Sequence, residues 1–374
     1  MSLLRIGYDI TPLAGHRTGV GNYTEAVLRH MLPLASGMQF HAFSSGRHRI
    51  DASALGISRH RHVPLPTRVL YQLWNATGRP CADKLLGGVD VFHATNYFLP
   101  PVARARTVLS IYDLAFLKHP EWCSPKIVGP FSRAVRQHAH RADAIVACSA
   151  ATRDDIVSLL GVDTSRIHVV HGAVEIPTHL PEREEAAALL SRDLGINAPF
   201  LLFVSTLEPR KNIEGLLRAF ALAAPQIPHT LVLAGGTGWG MEALPALLDS
   251  LRLGDRVRML GYVTQPAHLP ALYTAADAFF FPSHYEGFGL PVLEAMAHGC
   301  PVITARNSSL PEVAGDAARY VDPNDPQGMA NTLCEVAQDA ALRDTLSAAG
   351  RTRARAFSWQ HAATSTLDLY RSLV

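Results

Sequence analysis

Short runs rich in β-branched and apolar residues alternate with helical periodicity along this whole chain, and the rhythm restarts near residue 199. In the first half the strand candidates are Leu3–Asp9, Met38–Phe43, Val89–His93, Thr107–Ile111, Ala144–Cys148 and Ile167–His171. Helical stretches near residues 21–32, 125–141 and 150–160 lie between them. In the second half strands are expected near 199–205, 229–234, 257–260, 277–282, 301–304 and 318–321. Strand–helix alternation implies parallel sheets with helices on both faces. Twelve strands overfill a single sheet, so the chain reads as α/β with two doubly wound domains of similar size. A length of 374 residues agrees with two domains at about 150 residues each.

The joint falls between Val174 and Ala198, where Pro177, Pro181 and the charged run Glu182, Arg183, Glu184, Glu185 break the pattern. The expected division is 1–174 and 198–355, with 175–197 as an interdomain segment. A surface loop and helix inside one domain is the alternative for that segment. In open α/β sheets, ligands bind beyond the carboxyl ends of the strands, so chemistry is sought at strand ends. Composition narrows the function classes. Hydrophobic residues make up 48% and charged residues 18%, which supports a large core and excludes wholesale disorder. A net charge of +2 without a long basic run excludes a dedicated nucleic-acid binder. Five cysteines without a CxxC pair suit reduced thiols in the cytoplasm. Arg5 and Asp9 interrupt the N-terminal apolar stretch, so no signal peptide is expected, and no apolar run approaches 18 residues.

The most informative segment runs from Asp277 to Ile303. A buried strand ends near Pro282, and a glycine-rich loop, Glu286 to Leu290, follows. Pro291 is placed where a helix accepts proline, and Gly299 where a helix ends. Amides around Gly287, Phe288 and Gly289 at a helix start make an anion site. Glu286 and Glu294 flank it with seven residues between, Glu294 about one turn beyond Pro291. Carboxylates beside an anion site need donors, and sugar or ribose hydroxyls are such donors. A helix-capping loop with a solvated glutamate at each end is the plainer alternative.

A second anion site is expected in Phe200–Asn212. There a strand runs into Glu208-Pro-Arg-Lys, and Asn212 caps an amphipathic helix carrying Ile213, Leu216, Leu217 and Phe220 on one face. Arg210 and Lys211 at a helix start oppose the helix dipole, a conflict that a diphosphate would resolve. A solvated basic turn is the alternative. The chain has only four lysines, which singles out Lys211. In the first half, Thr18-Gly-Val-Gly-Asn-Tyr23 precedes a helix but lacks the third glycine and the acidic residue of a dinucleotide fingerprint. It reads as a flexible loop or a helix start. Tyr112 and Asp113 fall at the carboxyl end of the strand before them, and His93 and Asn96 lie in the same layer. Each of these is as readily a structural polar group. No D-x-D and no zinc-type HxxxH occurs, so no metal site is expected; His138 and His140 read as a solvated helix edge.

These motifs together resemble the retaining glycosyltransferases of family 4. The likeness covers almost the whole chain. It includes the Gly-Val-Gly loop, Ala147-Cys-Ser-Ala-Ala-Thr, Val169-Val-His-Gly-Ala, Glu-Pro-Arg-Lys-Asn, Leu233-Ala-Gly-Gly, Leu260-Gly-Tyr-Val and the E-x7-E segment. Thr-Leu-Glu-Pro-Arg-Lys-Asn, Ser-Ser-Leu-Pro-Glu-Val and Tyr-Asp-Leu-x-Phe-Leu-x-His-Pro-Glu are similar to bacterial mannosyltransferases of O-antigen and exopolysaccharide assembly. The resemblance implies the GT-B fold, two facing Rossmann-like domains with a C-terminal helix, 356–374, crossing back to the N-terminal domain.

It also implies roles. Arg210 and Lys211 would hold the donor diphosphate, and Glu294 the ribose hydroxyls. Glu286 would bind sugar hydroxyls, and the amides of Gly287, Phe288, Gly289 and Leu290 sugar and phosphate. Tyr262 and Val263 would lie beside the base. Gly19 and Gly21 would border the acceptor and the donor phosphate. Tyr112 and Asp113 complete the catalytic set. Many relatives have a histidine at the position of Tyr112, and an arginine after a glycine where this chain has Ser205-Thr206. The implied reaction is metal-independent, retaining hexosyl transfer without a cofactor. The leading donor is GDP-mannose, and the acceptor a saccharide or lipid-linked saccharide. The implied location is cytoplasmic, with peripheral contact to the inner membrane through Lys126, Arg133, Arg136 and Arg141 beside Ile127, Val128 and Phe131; a solvated helix face is the alternative there. A sugar phosphorylase or sugar-nucleotide epimerase, and a non-catalytic sugar-nucleotide-binding protein, are the competing readings.

Overall fold

The computed structural model describes residues 3–15 and 19–374; Thr18, which opens the glycine loop, lies outside them. Two compact units emerge. One comprises the chain through Lys118, Lys126–Gly172 and Ser358–Val374; the other comprises His119–Pro125 and Ala173–Phe357.

In the first unit the strands are β1 (Leu4–Asp9), β2 (Met38–Ser45), β3 (Arg59–Val63), β4 (Val91–Ala94), β5 (Arg106–Ile111), β6 (Ala144–Ala147) and β7 (Ile167–Val169). They form one sheet in the order β3-β2-β1-β4-β5-β6-β7, and every pairing is parallel. The chain direction of assembly reverses between β1 and β4. Six of these strands coincide with the expected runs to within a few residues. The addition is β3, whose Arg-His-Arg-His-Val has no apolar alternation to reveal it. It lies at the sheet edge, with its residues exposed or half-buried, where a basic strand also discourages further pairing. The buried Ser44 hydroxyl of β2 sits between His60 Nε2 at 2.8 Å and His62 Nδ1 at 2.9 Å and so joins the two strands.

The second unit holds β8 (Phe200–Val204), β9 (Thr230–Ala234), β10 (Val257–Gly261), β11 (Ala278–Phe281), β12 (Val302–Ala305) and β13 (Ala318–Val321). Their order is β10-β9-β8-β11-β12-β13, again all parallel. The central strands read as unbroken apolar runs, Phe-Leu-Leu-Phe-Val and Ala-Phe-Phe-Phe, because helices cover both faces. Phe279, Phe280 and Phe281 are fully buried.

The boundaries differ from those expected. Residues 175–197 are not a segment between units: the helix Arg183–Leu194 belongs to the second unit. Arg183 makes a short ion pair with Asp277 just before β11, and the same carboxylate takes His229 Nε2 at 2.8 Å. Residues 119–125, expected in the first domain, also pack with the second unit. The chain rejoins the first unit at Ser358, and the helix Trp359–Ser372 packs on the helix Gly19–Met31. Trp359 meets Tyr23 edge to face with ring centroids 5.6 Å apart. The Tyr370 hydroxyl bonds His93 Nδ1 at 2.5 Å, while His93 Nε2 bonds Ser110 Oγ at 2.8 Å. Burial drives the His93 pKa down to about 3, so this imidazole stays neutral and bridges two strands to the last helix. His138 is buried too, rather than on a solvated edge; its Nδ1 accepts the Leu99 N–H at 3.2 Å.

Tyr370→Phe removes the hydroxyl and leaves a buried imidazole nitrogen without a partner. Urea denaturation should show a loss of about 1–3 kcal/mol. An unchanged midpoint would mean that aromatic packing alone seats this helix.

Candidate active site

The order of the second sheet reverses between β8 and β11, so the loops leaving these neighbouring strands diverge from one point. A reversal of this kind is where open α/β sheets bind ligands. The loop after β8 delivers Glu208, Arg210 and Lys211; the loop after β11 delivers Glu286.

The two loops meet through charge. Lys211 Nζ lies 2.6 Å from Glu286 Oε1, and Arg210 Nη1 lies 3.0 Å from Glu286 Oε2. Arg210 also reaches Glu208 Oε1 at 2.8 Å and donates to the Tyr285 carbonyl at 3.0 Å. Lys211 and Glu286 are both buried, and the ammonium sits 5.2 Å from the centre of the Phe281 ring. Burial, then Arg210, pulls the Lys211 pKa below the ordinary lysine range, against the pull of Glu286. Burial pushes Glu286 upward, yet Lys211 and Arg210 hold it below the usual carboxylate range. The conflict between these cations and the helix start, which a diphosphate was expected to resolve, is already met within the chain, and the alternative of a solvated basic turn does not apply to the buried Lys211. Glu286 and Glu208 partner them within the protein. Glu286, expected to face sugar hydroxyls, spends its two oxygens on these cations.

Asn212 makes this geometry possible. It holds a left-handed backbone (φ 57°) at the start of the helix Ile213–Ala223, and its side chain accepts the Gly215 N–H at 3.1 Å. Its amide donates to the carbonyls of Pro282 at 3.2 Å and Pro323 at 2.8 Å, tying the ends of β8, β11 and β13 together. A Cβ on Gly215 would collide with this side chain, so Asn212 and Gly215 form one device.

The loop from Glu286 is pinned from below. Its N–H donates to Ser308 Oγ at 3.0 Å, and Ser309 Oγ donates to the carbonyls of Glu286 at 3.0 Å and Phe288 at 2.7 Å. The helix Leu290–Ala297 then begins, with Gly289 at φ 107° as its cap and Pro291 in the first turn. Gly289 has to be glycine, since a left-handed side chain there would also press on Leu310. Phe288 is turned inward against Phe357. Gly299, at φ 72°, follows the end of the helix as expected. Glu294 projects from this helix half-buried and accepts the Tyr273 hydroxyl at 3.1 Å. Burial lifts its pKa to about 7 despite that bond. Tyr273 was not foreseen: a tyrosine in Leu-Tyr-Thr-Ala carries no sequence signal of a carboxylate partner. Tyr262, past the end of β10, is exposed, and Val263 is half-buried beside it.

The first unit has a corresponding reversal between β1 and β4. Gly19 opens the helix Gly19–Met31 and is exposed, while Gly21 is buried within its first turn. A Cβ on Gly21 would stand 2.7 Å from the Pro12 carbonyl oxygen. Close packing thus explains Gly21, and of the two readings of this stretch the helix start is the one found from Gly19 onward. Tyr112 does not present its hydroxyl outward: it is buried and donates to the Thr95 carbonyl at 2.8 Å. Asp113 caps a short turn by accepting the Ala115 N–H at 3.0 Å. Asp9, not among the expected site residues, ends β1 buried, with its pKa pushed up to about 6 by burial. Its carboxylate accepts the Thr11 N–H at 2.8 Å, and its carbonyl accepts the Thr95 hydroxyl at 2.7 Å. No motif marked it, because only the strand order makes the end of β1 special.

The chain is similar to known proteins in sequence and fold. Residues 17–176 fit the family model described as Glycosyltransferase Family 4, and residues 190–353 that of Glycosyl transferases group 1. The chain is 33% identical over 285 residues to O-antigen chain mannosyltransferase B of Escherichia coli, covering 76% of this chain and 74% of that one. It is also 33% identical over 318 residues to a D-inositol 3-phosphate glycosyltransferase of Nocardioides, covering 78% and 69%. Among solved structures, sucrose-phosphate synthase of Thermosynechococcus elongatus superposes with a TM-score of 0.78 at 22% identity over 99% of each chain. Anabaena HepE in complex with UDP and glucose gives 0.78 at 20% identity, over 99% of this chain and 100% of that one.

Glu294 supplies a test that needs no substrate. Its raised pKa means that the folded state disfavours the carboxylate. The contribution is fully present below the unfolded value of 4.5 and is lost as pH rises through about 7. Denaturation of wild type and Glu294→Gln across pH 4 to 8 should show the variant gaining relative to wild type over that range. Parallel profiles would place Glu294 in open solvent.

Proposed function

The chain belongs to the family-4 glycosyltransferases and is a glycosyltransferase of GT-B type, and from that premise we propose that it transfers mannose from GDP-mannose, with retention, onto a saccharide or lipid-linked saccharide of a cell-surface polysaccharide. One observation carries the reading. A buried lysine and an arginine converge on Glu286 at the reversal point of the second sheet, and the helix that follows this loop carries Glu294. The O-antigen mannosyltransferase among the relatives supports the sugar and the acceptor class.

Hexosyl transfer fails without stabilisation of the departing nucleoside diphosphate. Preorganised cations are the strongest means to supply it, because they need not reorganise as charge develops. Arg210 and Lys211 serve that purpose. Glu286 and Glu208 hold them in place before the donor arrives and share them with the diphosphate afterwards. Glu294 accepts from the ribose hydroxyls, and the backbone from Gly287 to Leu290 contacts sugar and phosphate. Tyr262 and Val263 flank the base. Gly19 and Asp113 border the acceptor, Asp113 orienting the attacking hydroxyl. Tyr112 supports this wall from behind through Thr95. The residues assigned here carry the transfer without a metal or cofactor.

Arg210→Ala and Lys211→Ala should each lower transfer by roughly 10²–10³-fold, the usual cost of one preorganised donor. Each variant keeps one cation on Glu286, so far-UV circular dichroism should stay unchanged. Near-wild-type turnover in both would defeat the diphosphate assignment. A thermal-shift comparison of GDP, UDP, ADP and dTDP ranks the base. A ligand at 100 times its dissociation constant adds about 2.7 kcal/mol, and GDP should raise the melting temperature most. Release of labelled sugar without acceptor would instead indicate a phosphorylase or epimerase.

Among the described residues no helix is long and apolar enough to cross a membrane. We place the protein in the cytoplasm, with the helix Pro125–Arg141 against the membrane surface. Ile127 is exposed there, as are Lys126, Arg133, Arg136 and Arg141. Flotation with anionic liposomes should show binding at low salt that is lost at high salt. No flotation at low salt rejects the membrane contact.

A further inference from the structure

The sequence between Lys118 and Lys126 packs apart from the unit that flanks it in the chain. His119–Pro125 joins the second unit and brings an aromatic stack with it. The Trp122 indole lies against the His119 imidazole, ring centroids 4.1 Å apart and planes 21° from parallel. It also lies against the His284 imidazole, at 4.8 Å and 16°. His119 is 6.0 Å from the Tyr285 ring. The tight turn Pro120–Trp122 sets this shape: the Trp122 N–H donates to the His119 carbonyl at 3.1 Å. Trp122 is only half-buried, so it is not a core residue that any large apolar side chain would replace. Its defining contacts are the two imidazole faces.

His284 is one bond removed from the phosphate-binding pair. Its N–H donates to the Arg210 carbonyl at 2.9 Å. The next residue, Tyr285, offers its carbonyl to Arg210 Nη1, and the one after, Glu286, takes both cations. The loop is held differently along its length. From Glu286 onward the hydroxyls of Ser308 and Ser309 pin it. Ahead of Glu286 the anchors include an Asn307 bond to the Ser283 carbonyl at 3.2 Å, the Arg210 carbonyl and the Trp122 stack. The stack is a further anchor, contributed by the stretch His119–Pro125.

We propose that Trp122 is a positioning residue for the donor diphosphate: by stacking on His284 it fixes residues 284–286, and through them the placement of Arg210 and Lys211. This rests on the assignment of Arg210 and Lys211 to the diphosphate. Trp122 itself touches neither donor nor reacting atoms. The nucleoside half of the donor, on the side of Glu294, does not depend on it.

The test uses the full chain and compares wild type, Trp122→Ala and Trp122→Phe. Hydrogen exchange without ligand reads the loop directly: amides of 284–286 should exchange faster in Trp122→Ala and at the wild-type rate in Trp122→Phe. Calorimetry with GDP and with guanosine then separates the two halves of the site. Trp122→Ala should weaken GDP roughly tenfold, the scale of one stacked aromatic contact, leave guanosine unchanged and lower kcat; Trp122→Phe should restore both. Unchanged exchange in Trp122→Ala overturns the proposal, as does equal weakening of GDP and guanosine. If wild type binds neither ligand while exchange responds as expected, the assignment of the diphosphate falls and the anchoring of the loop stands.

Discussion

The ion cluster of Lys211, Arg210 and Glu286 is the constraint around which the second unit is built. A lysine ammonium buried beside a guanidinium is unfavourable in water-free surroundings unless a carboxylate lies against it. Here that carboxylate comes from a residue 75 positions later in the chain. The pairing exists only because β8 and β11 are neighbours in the sheet. Strand order, not local sequence, brings the charges together. With Glu208 included, the cluster neutralises itself in the folded chain, and under the proposed function the same two cations serve the anionic leaving group.

The backbone around this cluster is held in conformations that cost free energy. Asn212 and Ser308 both adopt positive φ, which non-glycine residues rarely do. Each recovers the cost through its side chain. Asn212 bonds two carbonyls and one N–H across three strand ends, and the Ser308 hydroxyl accepts the Glu286 N–H. Strained residues over-determined by their surroundings collect where a backbone must be presented in one fixed shape. The stack of Trp122 on His284 adds a third constraint of the same kind, from a distant stretch of sequence.

In the first unit the polar groups at strand ends serve the interior instead. Tyr8, Tyr23, Tyr112 and Tyr370 are buried, and their hydroxyls bond to Thr24, Val170, Thr95 and His93 in turn. A buried hydroxyl must find a partner, and here the partners are carbonyls and an imidazole that link the central strands to two helices. The helix Trp359–Ser372 is thereby part of the first unit although it follows the second in sequence. Tyr112 illustrates the consequence. A residue at a strand end looks available for chemistry, but which way its ring turns depends on whether the neighbouring strand offers an acceptor.

What the sequence determined by itself was whatever local pattern encodes. Short runs rich in β-branched and apolar residues marked twelve of the strands; Asn212 and Gly299 marked helix ends; the spacing of Glu286 and Glu294 and the adjacency of Arg210 and Lys211 marked the candidate site. The edge strand Arg59–Val63 was hidden because a strand exposed on its edge needs no apolar alternation. Tertiary structure decided the partners. Glu286 faces cations, Tyr273 meets Glu294, Asp9 ends a buried strand, and His119–Pro125 packs with the second unit. Each of these depends on strand order or on a contact between residues far apart in the chain. Local pattern fixes which residues can lie on one face, but the energy of a buried charge or hydroxyl is set by neighbours that only the completed fold supplies.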